Sequence, residues 1–126
     1  MPTRIHATRN SVSSGELQAF KAKFFKALAH PIRIRILEIL VGGKRTVHEL
    51  QEALKLEQAA VSQQLAVLRF QGIVNADKDG LTVRYSLRDP LIGELLQVAR
   101  RIFNSHLSST RDLLRELKLE SRRNAP

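Results

Sequence analysis

Between Thr46 and Gln71 the chain spells two helices with almost nothing between them, and no other stretch constrains its fold as much. Thr46-x-x-Glu49 is a capping box, in which a hydroxyl and a carboxylate each satisfy a backbone N–H at a helix start; Val47, Leu50 and Leu54 then turn inward. Only Lys55-Leu56-Glu57 separates this short helix from the next, which the spacing extends to about Gln71. On a wheel of about 100° per residue, Leu65 and Leu68 fall within about 40° of Val61, so this helix has one core face. Its other side carries Ala59, Ser62, Gln63 and Ala66, with Gln58 and Arg69 toward the flanks and no acid. A surface of small and amide side chains without carboxylates can approach a base edge.

Two helices precede this pair. Ser13-x-x-Glu16 is a second capping box, and Leu17, Phe20, Phe24 and Leu28 follow at helical spacing, predicting a helix from about 14 to 28. Pro31 suits the first position of the next, whose Ile32, Ile36, Ile39 and Leu40 form one face, broadened by Ile34, Leu37 and Val41, before Gly42-Gly43 stops it. After Gly72, Val83, Tyr85 and Leu87 alternate with Thr82, Arg84 and Ser86, the period of a half-buried strand. With Ile73 to Lys78 as partner and Asp79-Gly80 as turn, this is a two-stranded hairpin whose tip carries Lys78 and Gly80.

Asp89-Pro90 opens a last helix whose Leu91, Ile92, Leu95, Leu96, Ala99, Ile102, Phe103 and Leu107 form a stripe too wide for one contact. A second subunit is implied, meeting it together with the Phe-rich first helix. The candidate seam is Leu17, Phe20, Phe24, Leu91, Leu95, Ile102 and Phe103. Ser109-x-x-Asp112 with Leu113, Leu114 and Leu117 fits a further short helix or a continuation. The expected organisation is a basic arm over 1–13, a DNA-binding and dimerisation domain over 14–107, and a helical extension with a basic tail over 108–126.

The 126 residues suit one domain, and 21 Lys and Arg against 12 Asp and Glu give a net charge of +9. That surplus favours nucleic acid first and an anionic membrane second. With 43% hydrophobic and 26% charged residues, neither a disordered basic tail nor a membrane protein is expected. The opening MPTRIHATRNSVSSG has no apolar segment to serve as a signal peptide, so a cytoplasmic protein is expected. The absence of cysteine removes disulfides, thiolate metal sites and thiol redox sensing. No Gly-rich phosphate loop, nucleophile elbow or catalytic carboxylate pair is present, so neither an enzyme nor a cofactor is expected.

Four helices, a hairpin and a helix make a helix-turn-helix with a wing: a mainly α winged helix-turn-helix, dimeric, with a small β-hairpin. Gln and Ser on the exposed face of the second helix of the pair can hydrogen-bond base edges or phosphates, while Lys78 and Arg84 on the hairpin reach backbone or minor groove. Arg33, Arg35, Lys44 and Arg45 are further phosphate candidates. A winged helix that binds only protein is the rival; it predicts an uncharged or acidic outer face, and Gln58, Ser62, Gln63 and Arg69 count against it.

The run Phe25-Lys26-Ala27-Leu28-Ala29-His30-Pro31-Ile32-Arg33-Ile34-Arg35-Ile36-Leu37, then Val61-Ser62-Gln63-Gln64-Leu65-Ala66-Val67-Leu68-Arg69, Gly72-Ile73-Val74 and Arg84-Tyr85-Ser86-Leu87 resemble the ArsR/SmtB family of bacterial winged-helix repressors, over roughly residues 17 to 107. The resemblance implies a homodimer paired through its first and last helices, with two reading helices in successive major grooves of a palindromic operator. It places DNA-reading positions on Gln58, Ala59, Ser62 and Gln63, with Lys78 and Arg84 in the wing and Gln64, where many members have His, at the margin of the core face.

Many such relatives sense metals through cysteines on the third helix or Asp, His and Glu on the last. Here Thr46-Val47-His48-Glu49-Leu50 has no thiol, and the last helix offers Glu94 and His106 without an Asp-x-His pair. His30, in the His-Pro corner, reads as architectural and His48 as a solvated or phosphate-contacting side chain. The four scattered histidines are read as having no His or carboxylate partner at i, i+4, so no metal site is expected. A metal-responsive repressor would need an unrecognised site of His106 with Asp112 or Glu116. Otherwise the signal is a small organic effector near Phe20, Phe24 and Phe103, or the protein's own abundance.

Overall fold

The computed structural model describes residues 13–124. The arm expected over 1–13 therefore lies, apart from Ser13, outside the described residues. The chain forms two compact units, Met1–Asp89, hereafter the head, and Pro90–Pro126.

In the head, α1 (Ser14–Leu28) starts at Ser13, whose Oγ accepts from the Glu16 N–H at 3.1 Å. Helix α2 (Pro31–Val41) has proline in its first turn, where a missing N–H costs nothing. The His30 ring caps it, Nδ1 accepting from the Ile32 N–H at 3.1 Å. Helix α3 (Val47–Leu54) opens on the full capping box: Glu49 N–H donates to Thr46 Oγ1 at 3.1 Å and Thr46 N–H to Glu49 Oε1 at 2.9 Å. Lys55, left-handed at φ 59°, turns the chain into α4 (Gln58–Phe70). The end of α4 is a Schellman motif: Ile73 N–H bonds Leu68 C=O and Gly72 N–H bonds Arg69 C=O, with Gly72 at φ 71°.

The wing contains one strand more than expected. Strands β2 (Val74–Asp79) and β3 (Thr82–Leu87) pair antiparallel, and β1 (Arg45–Thr46) adds to the far side of β3, giving the order β1-β3-β2. Arg45 faces Tyr85 and Thr46 faces Arg84. Two residues are too few to show alternation, and Thr46 serves as strand residue and helix cap at once because its backbone is extended. The turn also lies one residue later than expected. Asp79 pairs with Thr82, leaving Gly80-Leu81 as a two-residue loop with Gly80 at φ 65°, the left-handed position that hairpins give to glycine. Leu81, not Lys78, occupies the tip.

The core of the head is Ile36 and Leu37 of α2, Leu50 of α3, Val61, Leu65 and Leu68 of α4, and Ile73 and Val74 entering β2. Each of the four inner segments gives its apolar face to this cluster, which leaves the opposite face of α4 for solvent.

The second unit is one helix, α5 (Pro90–Arg123), 34 residues and about 51 Å long. Of the two readings for residues after Ser109, the structure has the continuation: no Gly or Pro interrupts the run from Glu94 to Arg123. At about 100° per residue Leu95, Ala99, Ile102, Phe103, Leu113, Leu114 and Leu117 fall within about 60° of one line, so the apolar stripe persists past Leu107.

Candidate nucleic-acid interface

The outer face of α4 has the character its spacing predicts. Gln58, Ala59, Gln63 and Ala66 are exposed and Ser62 is half-buried. The N-cap residue Glu57 makes no side-chain bond to the first turn, so the N–H groups that open α4 keep their capacity for an outside acceptor such as phosphate. Phe70, absent from the sequence-based candidates, lies on the same row as Ala59, Gln63 and Ala66, within about 40° of the direction opposite Val61. It is 86% exposed. The wheel that selected Gln63 carries this signal too, since Phe70 is seven residues on. Beside the row, Ser62, Leu65, Ala66, Arg69, Phe70 and Tyr85 line an open groove of about 430 Å³ between α4 and β3.

The basic candidates divide into solvated and engaged groups. Arg35, Arg69 and Lys78 are exposed. Arg84 Nη1 stands 3.8 Å from Glu49 Oε1, each side chain about half exposed, and Lys44 Nζ stands 3.6 Å from Asp77 Oδ2. Arg45 Nη1 donates to the Lys44 C=O at 2.8 Å. The wing is thus less basic than its arginine and lysine suggest: Asp77 and Asp79 flank Lys78 along β2. Exposed pairs of this kind contribute little to stability and leave both cations accessible to solvent. The Glu49 carboxyl is held below its ordinary value by the Thr46 backbone N–H first and then by the Thr46 side chain; desolvation opposes them, and the charges of Arg84 and Arg45 add smaller lowering effects.

Two candidates point inward, to each other. Arg33 Nη1 donates to Gln64 Oε1 at 2.9 Å, its Nε to the Ala27 C=O at 2.6 Å and its Nη2 to the Lys26 C=O at 3.4 Å. Both side chains are half-buried. His30 is architectural as read, through its cap on α2. The reading of His48 needs correction: its Nε2 lies 3.1 Å from Glu52 Oε1, an exposed i, i+4 pair that the sequence already spells. Among the described residues no three His, Asp or Glu side chains gather to hold a metal ion.

Within α1, Leu17 and Phe20 are exposed, and half-buried Phe24 meets Phe25 edge-on with ring centroids 5.5 Å apart. Within α5, Leu91, Ile102 and Phe103 are exposed and Leu95 is half-buried. No helix among the described residues is long and apolar enough to cross a membrane.

Comparison with known proteins agrees with this geometry. The pattern of the family described as bacterial regulatory protein, arsR family, matches residues 30–76, from the cap of α2 into β2. The uncharacterized HTH-type transcriptional regulator Rv0081 of Mycobacterium tuberculosis is 47% identical over 108 residues, covering 85% of this chain and 95% of that protein. Its crystal structure superposes with a TM-score of 0.70 at 50% identity, over 75% of this chain and 95% of that one. The biofilm growth-associated repressor of Xylella fastidiosa is 33% identical over 101 residues, 80% of this chain and 87% of that protein. The homodimeric winged helix-turn-helix domain of Mb0332 from Mycobacterium bovis superposes with a TM-score of 0.71 at 26% identity, over 78% of this chain and 91% of that one.

Proposed function

The chain belongs to the ArsR family of bacterial regulatory proteins and is a DNA-binding transcriptional regulator, not an enzyme; from that premise we propose that it is a cytoplasmic homodimeric repressor of a palindromic operator. The observation that carries the proposal is the exposed, acid-free face of α4 on a chain of net charge +9. Gln58, Ser62 and Gln63 contact bases or adjacent phosphates near the start of α4, where helix N–H groups add to the attraction for phosphate. Arg69, Lys78 and Arg84 grip the backbone, Arg84 by exchanging Glu49 for a phosphate. Pairing through α1 and α5 covers the exposed Phe20, Ile102 and Phe103, as the homodimeric state of the Mycobacterium bovis relative suggests.

The test is a salt titration on a duplex from upstream of the protein's own gene, with a footprint to locate the operator. Each neutralised phosphate adds about 0.9 to the logarithmic slope, so three to five contacts per subunit give roughly −5 to −9 for a dimer. A flat dependence overturns DNA binding. Loss of transcription when the protein is removed, instead of a gain, overturns repression alone.

A further inference from the structure

The guanidinium of Arg33 satisfies a carbonyl left without an intrahelical partner at the end of α1. In a continuous helix the Ala27 C=O would accept from the N–H four residues on, but that residue is Pro31, which has none. Ala27 is buried, and a buried carbonyl left unpaired is costly. Arg33 Nε takes the vacant position at 2.6 Å, and the same planar group extends Nη1 to Gln64 Oε1 at 2.9 Å, 31 residues away in sequence. One rigid fork therefore joins the last turn of α1 to the middle of α4. Gln64 is the neighbour of Gln63 on α4 but lies about 60° from the core centre, on the flank opposite Ser62 and Arg69. On that flank the bond adds a directional restraint on rotation of α4 about its own axis to the packing of Val61, Leu65 and Leu68.

We propose that Arg33 is the positioning residue of the reading helix: through Gln64 it carries the placement of the α1 C-terminus into the rotational setting of α4, and operator affinity depends on this bridge without either side chain touching DNA. The proposal rests on the DNA-binding reading of α4. It gives α1, an element of the proposed dimer seam, a physical route to the reading surface that needs no ligand or metal.

The experiment compares the unsubstituted protein with Arg33→Lys, Arg33→Gln, Gln64→Leu and the double variant of Arg33→Lys with Gln64→Leu. Hydrogen exchange on the free protein tests the bridge without DNA. Gln64→Leu should speed exchange of α4 amides and of the last-turn amides of α1 together, by about tenfold for the loss of one charge-assisted bond, as should Arg33→Lys. Unchanged α1 exchange in Gln64→Leu overturns the bridge, whatever the protein does with DNA. On the operator each single variant should bind about tenfold more weakly, the double variant no worse than either, with the salt slope unchanged. Additive losses, or a slope reduced by about 0.9 for each lost phosphate contact in the charge-removing variant Arg33→Gln, would make these residues direct DNA contacts and overturn positioning. If the wild type binds no duplex in a salt-dependent way, the DNA-binding reading fails while the exchange result still decides the bridge.

Discussion

In the head, Ile36, Leu37, Leu50, Val61, Leu65 and Leu68 keep at most 1% of their surface, whereas along α5 Ile102, Phe103, Leu107, Leu113 and Leu117 keep 52–61%. The two regions use the same residue types at the same helical spacing. They differ in what their apolar faces meet: short helices joined by tight turns close on one another within residues 14–74, while a single uninterrupted helix cannot fold back on its own stripe. The head's core residues are already covered. A stripe this long and wet is the surface that the proposed dimer covers.

Substitutions on the two surfaces should therefore fail in different ways. The largest effect is expected from Leu65→Ala, which opens a cavity where α4 meets the core; it should cost about 2–5 kcal/mol in denaturant unfolding at any protein concentration. Phe103→Glu should leave the denaturation midpoint of the head nearly in place and weaken self-association by about 2–4 kcal/mol, read by sedimentation across a dilution series. Should Phe103→Glu unfold the head and leave the assembly state unaltered, the division between the two regions would be wrong. A third substitution separates reading from packing: Gln63→Ala should lower specific affinity by about 1–3 kcal/mol while sparing random-sequence binding, folding and assembly. Equal losses on operator and random duplex would instead assign Gln63 to the phosphate backbone.

The same contrast decides what could be read from the sequence. Every helix of the head was legible, because each carries an apolar period and three of the four have a chemical start, Ser13, His30-Pro31 or Thr46, that acts within four residues; α4, whose Glu57 makes no side-chain cap, was legible from its period alone. The acid-free face of α4 was legible for the same reason. Local patterns left out whatever depends on partners distant in the chain. Strand β1 exists because β3 comes to lie beside Arg45-Thr46, and the Arg33–Gln64 bond exists because packing α2 on α4 closes a gap of 31 residues. Ser109 resembled a new cap only while the helix was assumed to stop; with no breaker near it, an interior serine suffices. The His48–Glu52 pair, at i, i+4, and Phe70, seven residues after Gln63, are local features that spacing alone makes legible.

The smallest expected effect isolates one joint of the head, where the box that starts α3 also ties it to the wing. Thr46→Ala removes the Oγ1 that accepts from Glu49 N–H and should cost about 1 kcal/mol. The Glu49 side adds a pH dependence of known sign. Its carboxyl is held below its ordinary value in the folded chain, so its contribution is fully present above the unfolded value and is lost as pH falls through the folded one. Stability measured from neutral pH downward should decline through the carboxylate range more steeply in the wild type than in Glu49→Gln, and the two curves should converge in acid. Because Thr46 and Arg84 face each other across β1 and β3, the α3–wing joint should loosen over that range. Self-association through the proposed α1 and α5 seam should follow no parallel course, since Glu49 lies on neither helix. If dimer dissociation tracks the Glu49-dependent transition and that response is lost in Glu49→Gln, the α3–wing joint contributes to self-association, and the assignment of the dimer contacts to α1 and α5 does not hold.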